Sequence, residues 1–213
     1  MKLFITFEGI EGCGKTTQIY LLKDFLEQRG YSVVATREPG GTQIGDSIRK
    51  ILLDPRNADI NRRTELLLYQ ASRTQHIKDV IRPALERGCI VLCDRFIDAT
   101  SAYQGYAQGI DKEWIESLNQ FATESLTPDF TVLIDCPAEI GLKRAKNREA
   151  PVNQRVSEDR FEKKNIAFHH TVRLGYLQIA ECNSNRIYIV DGRKDPLIIH
   201  QEIRLAVLKK IEV

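Results

Sequence analysis

The tightest constraint on this chain is a stretch near its start, Phe7-Glu8-Gly9-Ile10-Glu11-Gly12-Cys13-Gly14-Lys15-Thr16-Thr17. Residues Gly9 to Thr16 fit the phosphate-loop pattern G-x-x-x-x-G-K-[ST]. Leu3-Phe4-Ile5-Thr6-Phe7 before it is apolar and β-prone. After it, Ile19, Leu22, Phe25 and Leu26 recur at helical spacing. The loop therefore joins a strand to a helix, the context in which the pattern has physical meaning. Glycines let backbone N–H groups converge on phosphate oxygens, and the helix N-terminus adds partial positive charge. Lys15 then reaches the β- and γ-phosphates, and the Thr16 hydroxyl can hold Mg²⁺.

Downstream, strand and helix periods alternate. Strand-like runs are expected at Leu3–Phe7, Ser32–Thr36, Cys89–Cys93, Thr131–Asp135 and Arg186–Val190. Helical patterns cover 16–29, 43–53, 62–87, 111–125, 138–149, 158–182 and 196–211. Gly30 and Gly88 end two of these helices, and Pro83 predicts a bend near Ile81-Arg82. The alternation predicts an α/β protein of the P-loop NTPase fold: a five-stranded, parallel, doubly wound sheet flanked by helices. The strands read as nearly all apolar, as for strands covered on both faces. No linker or repeat interrupts the chain, so residues 1–213 read as a single domain. The polar stretch 147–157 reads as a mobile insertion, and 144–160 as a lid.

Composition narrows the function classes. A net charge of +2 gives no general case for nucleic-acid or membrane binding. No apolar run is long enough to span a bilayer, and the start shows no signal-peptide pattern. Cys13, Cys89, Cys93, Cys136 and Cys182 are scattered with no C-x-x-C, which argues against zinc or disulfide frameworks and favours a reducing cytoplasm. His76, His169, His170 and His200 form no ligand set; the adjacent pair His169-His170 reads as surface or helix-packing residues.

In sheets of this kind ligands bind beyond the carboxyl ends of the strands. Those ends carry the phosphate loop, then Arg37-Glu38-Pro39-Gly40-Gly41-Thr42, then Asp94-Arg95 followed by Thr100-Ser101-Ala102-Tyr103-Gln104-Gly105. Asp94 can hold Mg²⁺, directly or through water, and Arg95 can clamp a second phosphate; a sheet-edge salt bridge is the plainer reading. Arg37 and Arg49 are further phosphate candidates, although a lone helix arginine is commonly just solvated. Tyr69 and Arg73 share one helix face and suit a nucleobase, or equally an aromatic ring packed under an arginine stem. Glu11 is unfavourable inside a triphosphate loop unless it points toward a hydroxyl of a second substrate or out to solvent. Lys143, Arg144, Lys146, Arg148, Arg155 and Arg160 form a basic stretch, read either as a solvated face or as a lid delivering an arginine to the transferring group.

Together these segments resemble the thymidylate kinase family, of the bacterial kind. The likeness rests on the opening Phe7-to-Thr17 stretch, Thr36-Arg37-Glu38-Pro39-Gly40-Gly41-Thr42, Asp94-Arg95-Phe96, Ala102-Tyr103-Gln104-Gly105 and Gly141-Leu142-Lys143-Arg144-Ala145, and it covers most of the chain. It implies phosphorylation of dTMP to dTDP by MgATP. ATP phosphates would be held by Gly9, Gly12, Cys13, Gly14, Lys15, Thr16 and Thr17, with Thr16 and Asp94 on the metal. For dTMP the resemblance implies Arg49 and Arg95 on its phosphate, with Arg37, Pro39, Thr100 and Tyr103 alongside. Tyr69 would stack on thymine, Arg73 reach its carbonyl, Gln104 read its other polar edge and Glu11 meet the sugar 3′-hydroxyl. Position 12 is glycine where eukaryotic-like members carry an arginine, which moves the catalytic arginine to the lid. Arg148 is the expected one, Arg155 its competitor, and Lys15, Arg95 and Arg148 the expected catalytic set. A homodimer is also implied. The rival readings are a kinase for dUMP, dCMP or a nucleoside, and a nucleotide-dependent switch protein. Against the switch stand the acceptor-type residues Tyr69, Arg73 and Gln104, and the lack of an Asn-Lys-x-Asp guanine signature.

Overall fold

Five short strands, β1 (Leu3–Glu8), β2 (Val33–Arg37), β3 (Ile90–Asp94), β4 (Phe130–Asp135) and β5 (Ile187–Asp191), pair in parallel in the order β2-β3-β1-β4-β5. The structure is a computed structural model and describes residues 2–147 and 160–211. Alternation along β1 divides the core into two layers. Leu3, Ile5 and Phe7 face a layer with Leu22 and Leu26 of α1 (Lys15–Glu27), Ile179 of α8 (Ile166–Cys182) and Ile203 of α9 (Pro196–Ile211). Phe4 faces the other layer, where Val91, Cys93 and Phe96 meet Ile77 and Ile81. This is the period of two that a pleated strand imposes, with both faces covered. The two edge strands differ from the expected all-buried pattern. β2 is only half-buried, and Tyr188 and Ile189 of β5 are exposed, because an edge strand lacks a neighbour on one side. Among the described residues no helix is long and apolar enough to cross a membrane.

Three helical expectations change. The 62–87 segment is α3 (Arg62–His76), a π-helical turn Ile77–Ile81, and α4 (Arg82–Glu86). The break starts earlier than Ile81-Arg82, because Pro83 lacks an N–H and its ring crowds the carbonyl four residues back, in the preceding turn. The 158–182 segment starts its helix only at Ile166, where the Asn165 side chain accepts the Phe168 N–H at 2.9 Å and caps α8. Finally, the stretch after β3 is helical: α5 (Ile97–Thr100) runs into a π-helical segment, Ser101–Ala107, whose Tyr103 and Gln104 are buried. α8 packs on this segment, and a side-chain carbon at Gly175 would lie 2.8 Å from the Tyr106 ring.

Strand register brings the working ends together. Asp94 sits beside Phe7 on one side and Arg37 on the other. Of the remaining helices, α2 (Gln43–Leu53) and α7 (Ala138–Lys146) supply residues to the cleft at that edge, and α6 (Lys112–Thr123) packs on α3, where Gln70 donates to Asn119 at 2.9 Å.

Candidate active site

The phosphate loop connects β1 to α1 with Gly12 at φ 69° and Gly14 at φ 110°, conformations that side chains resist. No side chain caps α1, so the loop and first-turn N–H groups remain available to an anion. Lys15 is buried along the loop and donates from Nζ to the carbonyls of Gly9 and Ile10, each at 3.0 Å. Gly9 itself lies behind the cleft surface: a side-chain carbon there would meet the Ile134 carbonyl at 2.6 Å. Gly12 has a tighter constraint. An added carbon would lie 1.9 Å from the Gly141 carbonyl of α7, and one on Gly141 would lie 2.5 Å from the Glu11 carbonyl. The two backbones are in contact, which leaves no room for an arginine at position 12.

Thr16 Oγ1 donates to Asp94 Oδ2 at 3.2 Å. A hydroxyl and a carboxylate oxygen side by side at the loop suit Mg²⁺, which takes few protein oxygens and completes its shell with phosphate and water. This donor pair fits the ion that the family implies.

Arg95 follows Asp94 at φ 70°, a left-handed backbone rare for a non-glycine residue. Glu8 and Phe7 hold it there. Arg95 N–H donates to the Phe7 carbonyl at 2.9 Å, and Phe96 N–H to Glu8 Oε1 at 2.7 Å. Tyr176 hydroxyl donates to Glu8 Oε2 at 2.8 Å. Burial, with the charge of Asp98, pushes the Glu8 carboxyl up to about 8 despite Arg95 and these donors.

The twist aims the Arg95 guanidinium at Glu11, with Nη2 3.0 Å from Oε1 and the cation 4.9 Å from the Tyr103 ring centre. The Tyr103 hydroxyl donates to the same Oε1 at 2.6 Å. His169 Nδ1 lies 3.2 Å from Glu11 Oε2. Burial alone would raise the Glu11 carboxyl, but His169, Arg95 and Tyr103 hold it well below the usual range. Glu11 thus faces Arg95 and Tyr103. His169 is fully buried against it, whereas His170 is half-buried and lies 3.0 Å from Glu139.

At the far end, Arg73 is among the largest fully buried side chains. Its Nε donates to Glu38 Oε2 at 2.8 Å, Nη1 to Gln70 and Asn119, and Nη2 to the Phe96 carbonyl and Thr100 Oγ1. These acceptors engage all five guanidinium N–H groups. Glu38 is also 3.1 Å from His76 Nδ1, so it anchors the strand end after β2 to α3. Arg49 Nη1 donates to the Pro39 carbonyl at 2.9 Å, and Arg37 pairs loosely with Asp46 at 3.4 Å.

One cleft of about 930 Å³ joins these parts. It runs from Lys15 and Thr16, past Arg37, Arg49 and Arg95, to Tyr69, Arg73 and Gln104. Cys13, Thr17, Pro39, Thr100 and Tyr103 also line it; Arg148 and Arg155 lie outside the described residues. Sequence reading passed over several residues here. Phe161 and Glu162 line the cleft from the turn before α8, and Lys194 and Pro196 line its phosphate-loop end, beside Arg144 of the expected basic stretch. Glu38 also lines it, and Glu65 and His169 act from beneath it. The Asp191-Gly192-Arg193 loop lies near that end, and Arg144 Nη1 donates to the Gly192 carbonyl at 2.7 Å.

This chain is similar to known proteins over most of its length. The family model described as Thymidylate kinase matches residues 7–203. A thymidylate kinase of Geotalea daltonii is 56% identical over 192 residues, covering 90% of each chain. One from Trichlorobacter lovleyi is 51% identical over 211 residues, covering 99% of each. The crystal structure of thymidylate kinase from Ehrlichia chaffeensis superposes with a TM-score of 0.78 at 34% identity, covering 97% of this chain and 98% of its own. A family match across nearly the whole chain, with half-identical relatives and the phosphate-loop pattern lining the cleft, places this chain in the thymidylate kinase family.

Proposed function

We propose that this chain transfers the γ-phosphoryl group of ATP to the phosphate of dTMP, giving dTDP and ADP. The observation that carries this is the continuous cleft: a triphosphate loop at one end, an aromatic and hydrogen-bonding pocket at the other, and three arginines between. In the transfer, the bond from the γ-phosphorus to its bridging oxygen breaks as a dTMP phosphate oxygen bonds to that phosphorus. The acceptor is already an anion, so no general base is needed; positioning and charge neutralisation supply the catalysis. Lys15 and the loop N–H groups bind the donor phosphates, and Arg37, Arg49 and Arg95 hold the acceptor phosphate. Mg²⁺ held near Thr16 and Asp94 would neutralise charge on the donor phosphates when bound. Tyr69 offers a ring to the base. Arg73 offers a guanidinium already fixed by five acceptors, so a thymine carbonyl would share one of its N–H groups. Glu11, held between Arg95 and Tyr103, meets the sugar hydroxyl in this reading. Arg148, or failing that Arg155, supplies the lid arginine.

We assign the protein to the cytoplasm, in keeping with its five free cysteines. We also assign it a homodimeric state, to which the exposed Trp114 and Phe121 of α6, on one helix face, lend support. The deciding experiment is a coupled ADP-release assay with dTMP, dUMP and dCMP as acceptors. Clear preference for dTMP is expected; equal use of dCMP, or ATP binding with no dTMP binding, would reject the proposal.

A further inference from the structure

Gln104 faces the base end of the cleft, and its chemistry there depends on which end of its amide points inward. The oxygen accepts a hydrogen bond and the nitrogen donates one. Beneath it lies Glu65 of α3, buried and not among the residues that line the cleft. Glu65 Oε1 accepts from Gln104 Nε2 at 2.7 Å and from Gln108 Nε2 at 2.6 Å. Its Oε2 pairs with the guanidinium of Arg160, which is itself buried. Arg160 is pinned in turn, donating from Nε to the Leu52 carbonyl at 3.0 Å and from its backbone N–H to the Leu53 carbonyl at 3.2 Å. The carboxylate is therefore fixed in place.

A carboxylate paired to arginine only accepts. Gln104 must turn its nitrogen toward Glu65, and its oxygen is the end of the amide left for the cleft. That oxygen suits a base with an N–H at ring position 3. Thymine and uracil carry one; neutral cytosine presents a lone pair there, so acceptor would face acceptor. We infer that Glu65 is a positioning residue that fixes the sense of the Gln104 amide and thereby selects pyrimidines carrying an N3–H. This rests on the acceptor reading proposed above.

The test uses the full chain and compares kcat/KM for dTMP with that for 5-methyl-dCMP, which differs from dTMP only at position 4 and in the N3 proton. In Glu65→Gln the new amide can offer either end to Gln104, so Gln104 is free to reverse. The dTMP to 5-methyl-dCMP preference is expected to fall about tenfold, the scale of one hydrogen bond. A loss of stability alone would lower both substrates together and leave the ratio unmoved. The swap Glu65→Gln with Gln104→Glu puts a side chain that only accepts at position 104 and is expected to restore the preference. Should the single variant not fold, Glu65→Met with Arg160→Met replaces the buried pair by apolar side chains of similar volume, a change that such pairs commonly tolerate. It too leaves Gln104 unanchored and should lower the ratio. A folded variant of either kind with the wild-type ratio overturns the inference. A wild-type protein with no preference for dTMP overturns the acceptor reading instead.

Discussion

Replacing Gly12 by alanine isolates the contact between the phosphate loop and α7. The new methyl carbon would start 1.9 Å from the Gly141 carbonyl oxygen, 2.7 Å from its carbon and 3.0 Å from the Ala145 nitrogen. All three are helix backbone, which cannot swing aside as a long side chain can, so loop and helix must separate by about 1 Å to restore contact distances. Two costs add. Holding alanine at φ 69° costs about 1–2 kcal/mol, and overpacking costs about 1–3 kcal/mol more. The expected loss is about 2–5 kcal/mol, in the upper half because the obstacle is rigid. Gly14 is the control. Its φ of 110° lies further from any comfortable alanine conformation, yet nothing lies within 4 Å of an added carbon. Its cost is strain alone, about 1–3 kcal/mol. Backbone strain by itself ranks Gly14→Ala as the worse change; the contact with Gly141 reverses the order. Urea unfolding of both variants without nucleotide reads the difference, and in thermal melts each kcal/mol shifts Tm by about 2–4 °C for a chain of this size. A Gly12→Ala variant no less stable than Gly14→Ala would refute the reasoning. Turnover gives a second readout, since a displacement of this size at a binding loop can cost about 100-fold in rate.

Four further outcomes are expected. Lys15→Ala should abolish ADP release while the melt stays cooperative; near-wild-type turnover would remove Lys15 from the mechanism. Arg148→Ala should lower kcat far more than it raises KM, and a larger kcat loss in Arg155→Ala would transfer the role. Arg73→Lys should cost about 3–5 kcal/mol in denaturant unfolding, because three ammonium donors cannot serve the acceptors of five guanidinium N–H groups; a cost under 1 kcal/mol would contradict that network. Glu8 has a carboxyl raised from about 4.5 to about 8 by burial, so the folded state holds its proton more tightly than the unfolded one. Its stabilising contribution is complete below pH 4.5 and is lost as pH rises toward 8. The Tm of Glu8→Gln relative to wild type should therefore climb across that window, and a flat difference would show that Glu8 does not titrate there.

The sequence by itself determined the sheet and the ends of its strands. A strand, a glycine-rich loop and a helix beginning at Lys15 are contiguous, and apolar runs at period two or 3.6 are local signals. The same contiguity marked Lys15, Thr16, Asp94 and Arg95 as the phosphate end. It also let Glu11 be read as oddly placed, because a carboxylate amid phosphate-binding groups is conspicuous on charge alone. The helical stretch after β3 stayed hidden: its buried Ala102, Tyr103, Gln104 and Gly105 run consecutively in π-helical geometry and give no 3.6-residue stripe. Tertiary structure decided everything that depends on residues far apart in the chain. It seated His169 against Glu11, more than 150 positions away, and decided between the surface and helix-packing readings of that histidine in favour of burial. It also gave Gly12 a second reason to be glycine, since only the fold brings Gly141 against it. Glu65 is the sharpest case. On paper it is an acid in the first turn of a helix, favourable there for the helix dipole. In the fold, Gln104 and Arg160 arrive from distant segments to fix its carboxylate, and no local pattern records an orientation imposed from that distance.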